Sequence, residues 1–337
     1  MNMRLRVLLA AVCVALLAGG AASVAVAATP LPGHVYAPYF ETWTSDSITT
    51  LAQQSGSRYF TLAFLETLSK SSCTLGWDGS KVDSIPNGKY LSDIASLRAL
   101  GGDVIPSFGG WSADQGGTEI GDSCKDVNAI AAAYEQLIAK YDVSRLDMDI
   151  EGRSLTKADG IDRRNKALKI VQGHFPNLQV SYTLPTSASG LEPSGIAVLQ
   201  NAIDNGTRVD VVNIMTFDYY DRVTRDMGAA AISAAQGLVA QLHTLYPAKT
   251  PAQLNAMVGI TLMPGLDDYP RRTESTSVTD AQRVYDYASA NGFNTLSIWA
   301  VQRDNGGCLG STGSNNCSGI VQNTWDFSHV LNPFSGP

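Results

Sequence analysis

Eight short apolar, β-branched-rich runs recur along the chain, at residues 34–40, 58–64, 103–108, 145–150, 178–184, 209–217, 256–262 and 294–299. Bounded by turn-forming residues, runs of this length read as strands. Between them, residues 90–100, 127–141, 156–175, 195–204, 228–245 and 279–291 carry apolar side chains at helical spacing. Strands alternating with helices from end to end predict an α/β fold with a parallel sheet, and eight such strands close into a (β/α)8 TIM barrel. A doubly wound open sheet competes with this reading. It would carry a Gly-rich phosphate turn after an early strand, and the chain has none.

One strand departs from ordinary patterning. In Arg145-Leu-Asp-Met-Asp-Ile-Glu-Gly152 the acids Asp147, Asp149 and Glu151 fall at every second residue, so they share one face while Leu146, Met148 and Ile150 take the other. Three like charges on one buried face are costly, because each opposes ionisation of the next and burial opposes it further. Proton chemistry accounts for such a ladder better than stability does. Calcium loops place their ligands around a sharply turning glycine, which differs from acids interleaved with core residues, so no metal is expected. In a barrel of this kind the chemistry lies where the strands run out, and Glu151, the stretch Ser107 to Trp111, Asp218 with Tyr219, and Trp299 all fall there.

Composition sets the setting. Arg4 and Arg6, an apolar run over residues 7–17 and the small-residue stretch Ala25-Val-Ala27 read as a secretory signal over residues 1–27, with the mature chain beginning near Ala28. The apolar run is too short to span a membrane, and no later segment approaches that length. Removing the signal leaves about 310 residues, the size of one large barrel, so residues 28–337 are expected to form a single secreted catalytic domain, a monomer. A net charge of -7 disfavours nucleic acid and anionic membrane surfaces as partners, but a neutral polymer is indifferent to it. Beyond the signal lie Cys73, Cys124, Cys308 and Cys317, an even number suited to disulfides in an exported protein. The flexible loop from Cys308 to Cys317 favours local closure, leaving Cys73 to pair with Cys124. No Cys-x-x-Cys or neighbouring histidine suggests zinc, and the four histidines are scattered, which offers no Ser/His/Asp arrangement.

These residues resemble the family 18 glycoside hydrolases, the chitinases and their relatives. Ser144-Arg-Leu-Asp147-Met-Asp149-Ile-Glu151 matches the last three acids of that family's Asp-x-x-Asp-x-Asp-x-Glu. Ser107-Phe-Gly-Gly110 is similar to its Ser-x-Gly-Gly, Met215-Thr-Phe-Asp218 to its Met-x-Tyr-Asp, and Trp299 to its tryptophan on the eighth strand. Ser144 and Phe217 depart from the pattern; Phe217 lacks the hydroxyl that binds the substrate's acetamido group in the family, and Tyr219 or Tyr182 could supply one.

The resemblance implies a secreted chitinase that uses no cofactor, takes chitin or chitooligosaccharides, and cleaves β-1,4 bonds between N-acetylglucosamine units with retention, the substrate's acetamido oxygen serving as nucleophile. It assigns Glu151 as proton donor, Asp149 as the acid that holds the acetamido group, and Asp147 as the partner sharing a proton with Asp149. Trp299 would floor the site, with Asp218, Tyr219, Met215, Tyr182, Trp111 and Tyr39 as further substrate contacts. Glu41 and Asp304 are weaker candidates. The same motif also serves endo-β-N-acetylglucosaminidases acting on N-glycan cores, and binding relatives that act as lectins. Those binding relatives tend to lose the terminal Glu or the middle Asp, and this chain keeps both.

Overall fold

Pro38 has no N–H to give a ladder, and the first strand is interrupted there: β1 runs as Val35–Tyr36 and then Tyr39–Glu41. The computed structural model describes residues 28–269 and 273–336; the expected signal over residues 1–27 lies outside the described residues. The parallel strands β2 (Tyr59–Thr67), β3 (Asp103–Gly109), β4 (Arg145–Asp149), β5 (Gln179–Ser187), β6 (Val211–Met215), β7 (Val258–Leu262) and β8 (Thr295–Ile298) follow in spatial order. The first piece of β1 pairs with β8 and the second with β2, so this broken strand closes the sheet.

A helix follows each strand: α1 (Ile48–Ser55), α2 (Leu91–Ala99), α3 (Val127–Tyr141), α4 (Ala158–His174), α5 (Pro193–Asp204), α6 (Met227–Leu245), α7 (Val278–Asn291) and α8 (Asp326–Leu331). The molecule is the expected (β/α)8 barrel. Six helices lie within two residues of the stretches that helical spacing marks out. The other two, α1 and α8, are short. Helix α1 buries Ile48, Leu51, Ala52 and Ser55 on one face and is closed by caps: the Ser47 side chain accepts the Thr50 N–H, and Gly56 ends the helix at φ 76°. Strand β5 runs three residues past its expected end because Thr186 and Ser187 pair with a short return strand, Gly190–Leu191.

The two faces of the sheet differ in chemistry. Outward-facing Leu146, Met148, Val180, Tyr182, Leu184, Val212 and Ile214 are fully buried against the helices and form one continuous core. The inward face is hydroxyl- and amide-rich instead, with Thr61, Ser181, Thr183, Asn213, Thr261 and Ser297 around Asp147. Arg145 closes the barrel floor, donating to Gln179, Asn294 and Thr295. Among the described residues no helix is long and apolar enough to cross a membrane.

Both disulfides join the cysteines that the loop argument pairs, Cys73 with Cys124 and Cys308 with Cys317. Their loops span 51 and 9 residues, and the logarithmic cost of closing a chain makes the longer bridge worth about 1.5 kcal/mol more. Replacing Cys73 and Cys124 by Ser should therefore lower Tm by more than replacing Cys308 and Cys317. Equal losses in thermal scans of the two double variants would contradict the entropic account.

Candidate active site

Four hydroxyl groups from three strands converge on one carboxylate. Asp147 Oδ2 accepts from Ser107 Oγ at 2.7 Å and Tyr39 Oη at 3.0 Å; its Oδ1 accepts from Ser181 Oγ at 2.7 Å and Thr183 Oγ1 at 2.9 Å. Burial pushes the Asp147 carboxyl up and these four donors oppose it. A carboxylate offers roughly four acceptor positions, and all are used. In this arrangement the hydroxyl groups surround Asp147, and its influence on Asp149 is through charge.

Asp149, one step up the strand, is also buried, and its Oδ1 has no hydrogen-bond partner. Burial, then the charges of Glu151, Asp147 and Asp114, push its carboxyl well above the usual range, which favours its neutral form. Glu151 lies just beyond the end of β4. Burial raises it to about 7, against a hydrogen bond from the Trp111 backbone. The ladder thus pairs an ionised base, a neutral middle acid and an upper acid poised near neutrality.

The glycines of Ser107-Phe-Gly-Gly110 make this packing possible. A Cβ at Gly109 would overlap the Asp149 carbonyl, and one at Gly110 would enter the Phe64 ring; both residues also have positive φ, 96° and 80°. Beside the acids, Trp299 stacks on Phe64 with centroids 5.5 Å apart and planes at 13°, and contacts Tyr39 at 5.4 Å and Trp43 at 6.2 Å. Its other contacts are Met215, Phe217 and Met263. Met215 and Phe217 therefore form an apolar wall around the tryptophan.

The remaining expected contacts separate. Trp111 is 60 % exposed at the rim, its ring lying over Gly152. Tyr39 presents no open ring face to solvent: it is buried beneath Trp299, with its hydroxyl committed to Asp147 and Thr183. Tyr182 is corrected outright. It faces the helix layer, where its hydroxyl donates to Asn165 of α4 at 2.6 Å, because residue 182 has the opposite parity to Ser181 and Thr183 on β5. Tyr219 turns under the Arg225 guanidinium, 4.9 Å from its ring centre, and its backbone N–H donates to Glu274. The next residue, Tyr220, engages the Asp218 carboxyl through its hydroxyl and lies edge-on to Tyr269.

Asp218 belongs to a second acidic group. Its backbone N–H donates to Asp267 and its side chain accepts the Asp268 N–H, each at 3.2 Å. Burial, then the charges of Asp268 and Glu274, raise it to about 7. Fully buried Arg303 lies 3.6 Å from Asp268. Near Arg303, Glu41 is fully buried with neither carboxyl oxygen hydrogen-bonded, and burial raises it to about 8. Asp304 caps α8 instead, accepting the Phe327 and Ser328 N–H groups. Sequence reasoning missed Asp114, Phe64 and Tyr220 because nothing in the pattern marks contacts between loops that follow different strands. Trp43 joins the aromatic floor at 40 % exposure.

Acids at the mouth of a barrel beside a stacked aromatic floor are the equipment of a carbohydrate-cleaving enzyme. Within that class the chain belongs to the glycosyl hydrolases family 18, whose model matches residues 35–288. It is 32% identical over 321 residues to a probable bifunctional chitinase/lysozyme of Escherichia coli (strain K12), covering 90% of this chain and 35% of the relative. It is also 32% identical over 288 residues to endochitinase 11 of Metarhizium anisopliae, covering 81% and 53%. The chain thus spans about a third to a half of the curated relatives it matches. A solved structure of active domain 2 of the Pyrococcus furiosus thermostable chitinase, in catalytic-site mutants complexed with chito-oligosaccharides, is 31% identical with a TM-score of 0.81, covering 91% of this chain and 96% of that one.

Two outcomes follow from the geometry. Tyr182→Phe should leave any sugar-cleaving turnover unchanged while costing about 2 kcal/mol in urea denaturation, because the Asn165 contact and the hydrogen bond with Arg164 are lost; a large fall in turnover at full stability would place the hydroxyl in the site. Glu41 binds its proton more tightly folded than unfolded, so its contribution is present below about pH 4.5 and is lost as pH rises towards about 8. Glu41→Gln should therefore gain Tm relative to the parent at pH 8 and not at pH 4.5. A Tm difference independent of pH would show that Glu41 does not titrate across that range.

Proposed function

We propose that the protein is a secreted chitinase that hydrolyses β-1,4 bonds between N-acetylglucosamine units with retention. The observation that carries this reading is the carboxyl ladder Asp147–Asp149–Glu151 beside Trp299, in a chain of family 18. Its similarity to a chitinase domain complexed with chito-oligosaccharides supports chitin oligomers as the ligand class. Two disulfides are compatible with an oxidising, extracellular setting.

In this mechanism Glu151 protonates the leaving glycosidic oxygen, which requires its acid form, and later activates water. The acetamido oxygen of the sugar over Trp299 attacks the anomeric carbon, so one carboxyl acid suffices where ordinary retaining enzymes use two. Asp149 accepts the acetamido N–H and stabilises the positive charge that develops on the oxazolinium-like intermediate. The unpartnered Asp149 Oδ1 is the acceptor left open for that N–H. Asp147, held by its four hydroxyl donors, tunes Asp149 from one step below on the strand. Phe217 supplies no hydroxyl; Tyr219, whose buried hydroxyl has no hydrogen-bond partner, and Tyr220, already against Asp218, are the replacements beside it in the chain.

Incubation with an N-acetylglucosamine hexamer, followed by NMR in the first minutes, tests the reading. Release of β-anomeric dimers and trimers, lost by about a thousandfold in Glu151→Gln with the fold intact, is the expected result. Binding without cleavage would favour the lectin alternative. Because Glu151 acts as an acid, kcat/KM should fall tenfold per pH unit above about 7. A flat profile to pH 9 would remove Glu151 from the proton-donor role.

A further inference from the structure

Strand β6 carries an amide that the chemistry above does not use. Asn213 is buried, and it shares the inward face with Met215, two residues on. Its register partner on β5 is Thr183, and on β7 it is Gly259. The amide nitrogen donates to Thr183 Oγ1 at 3.0 Å and to Thr261 Oγ1 at 2.7 Å, whereas the amide oxygen has no partner among the described residues. That oxygen lies against the bare face of Gly259, where a Cβ would stand 2.9 Å away. Leaving a buried carbonyl unpaired costs stability, so the donor end is the part that needs explaining.

Thr183 Oγ1 is where that donor matters. A hydroxyl has one proton to give and two positions at which to accept. Around Thr183 Oγ1 stand Asn213 Nδ2, Tyr39 Oη at 2.8 Å and Asp147 Oδ1 at 2.9 Å. The amide N–H only donates, so it occupies one accepting position; Tyr39 occupies the other, and the proton is left for Asp147. An acceptor in place of the amide nitrogen would compete with Asp147 for that proton. The charged and titratable groups that face Asp147 are Arg145 and Asp149 on its own strand and the Tyr39 phenol from β1. Among the described residues around it, the other strands offer hydroxyls, the Asn213 amide and aliphatic side chains.

We propose that Asn213 is a positioning residue for the acid ladder: its amide nitrogen fixes the Thr183 hydroxyl with the proton aimed at Asp147. The catalytic consequence rests on the ladder as the reacting group of the proposed chitinase. Thr183 is one of the hydroxyls that hold the Asp147 carboxyl down against burial. A hydroxyl that accepts a hydrogen bond is also the more polarised donor. Taking away the amide therefore weakens the solvation of Asp147 and lets it take up a proton at higher pH.

Two readouts on the full chain test this: the titration of the Asp147 carboxyl by 13C NMR, with its signal assigned by its loss in Asp147→Asn, and kcat/KM for the hexamer against pH. Asn213→Leu keeps the volume and removes the donor. Its Asp147 midpoint should rise by about half a pH unit or more, and kcat/KM should begin to fall at a correspondingly higher pH on the acid side. Thr183→Val should raise the midpoint too, and adding Asn213→Leu to it should change nothing further, because the amide acts through that hydroxyl. An unchanged midpoint in Asn213→Leu overturns the proposal, as does a shift of equal size in the Thr183→Val background, which would mark a packing role. Should Asn213→Leu not fold, Asn213→Ala carries the same two comparisons. The midpoint is read whether or not the chain cleaves the hexamer, so an inactive parent enzyme would sink the chitinase reading separately.

Discussion

Keeping a negative charge on Asp147 inside a barrel is the constraint on which the rest of the site depends. An isolated carboxylate removed from water is expensive, and only a full set of donors makes the ionised form tolerable. Here they come from β1, β3 and β5, through Tyr39, Ser107, Ser181 and Thr183. Many barrels fill their interior with branched aliphatic side chains; this one keeps a few, such as Val35, Ile105 and Val211, and surrounds Asp147 with hydroxyls and amides, because a buried carboxyl has to be solvated there. The cost falls on core packing, which moves almost wholly to the outer face of the sheet.

That single charge propagates upward along β4. Asp149 faces Asp147 from two residues away and receives no compensating donor, so its neutral form is favoured; Glu151, at the open end, sits near neutrality. The gradient from ionised to neutral to poised follows from position on one strand, with solvation supplied at the bottom and access to substrate at the top. Tyr39 links this gradient to the aromatic floor, since its hydroxyl serves Asp147 while its ring supports Trp299. The acid ladder and the aromatic floor are thus aligned by one side chain from β1.

How much of this was legible beforehand depended on whether a feature is local. The acid ladder was, because two-residue periodicity places Asp147, Asp149 and Glu151 on one face wherever the strand lies. The same rule misled nothing at Leu146 and Met148, which pack outward as their parity requires. Applied to Tyr182 it would have excluded that residue from the site, since its parity matches Val180 and Leu184, both buried in the helix layer. The longer helices were also visible, whereas α1, with eight residues between Ser47 and Gly56, offers an apolar face of only two turns.

The sequence by itself determined the alternation of strand and helix, the one-sided ladder of acids, the local closure of the Cys308–Cys317 loop and membership of a family whose motifs are short and contiguous. Only the tertiary structure decided the rest: that Asp147 is saturated, that Tyr39 lies beneath Trp299 rather than open to solvent, that Tyr219 turns towards Arg225, and that Asp114 reaches the backbone of Glu151. The physical reason is that side-chain parity and turn chemistry act over a few residues. Solvation of a buried charge, by contrast, is assembled from strands and loops far apart in the chain, and is settled only once the barrel closes.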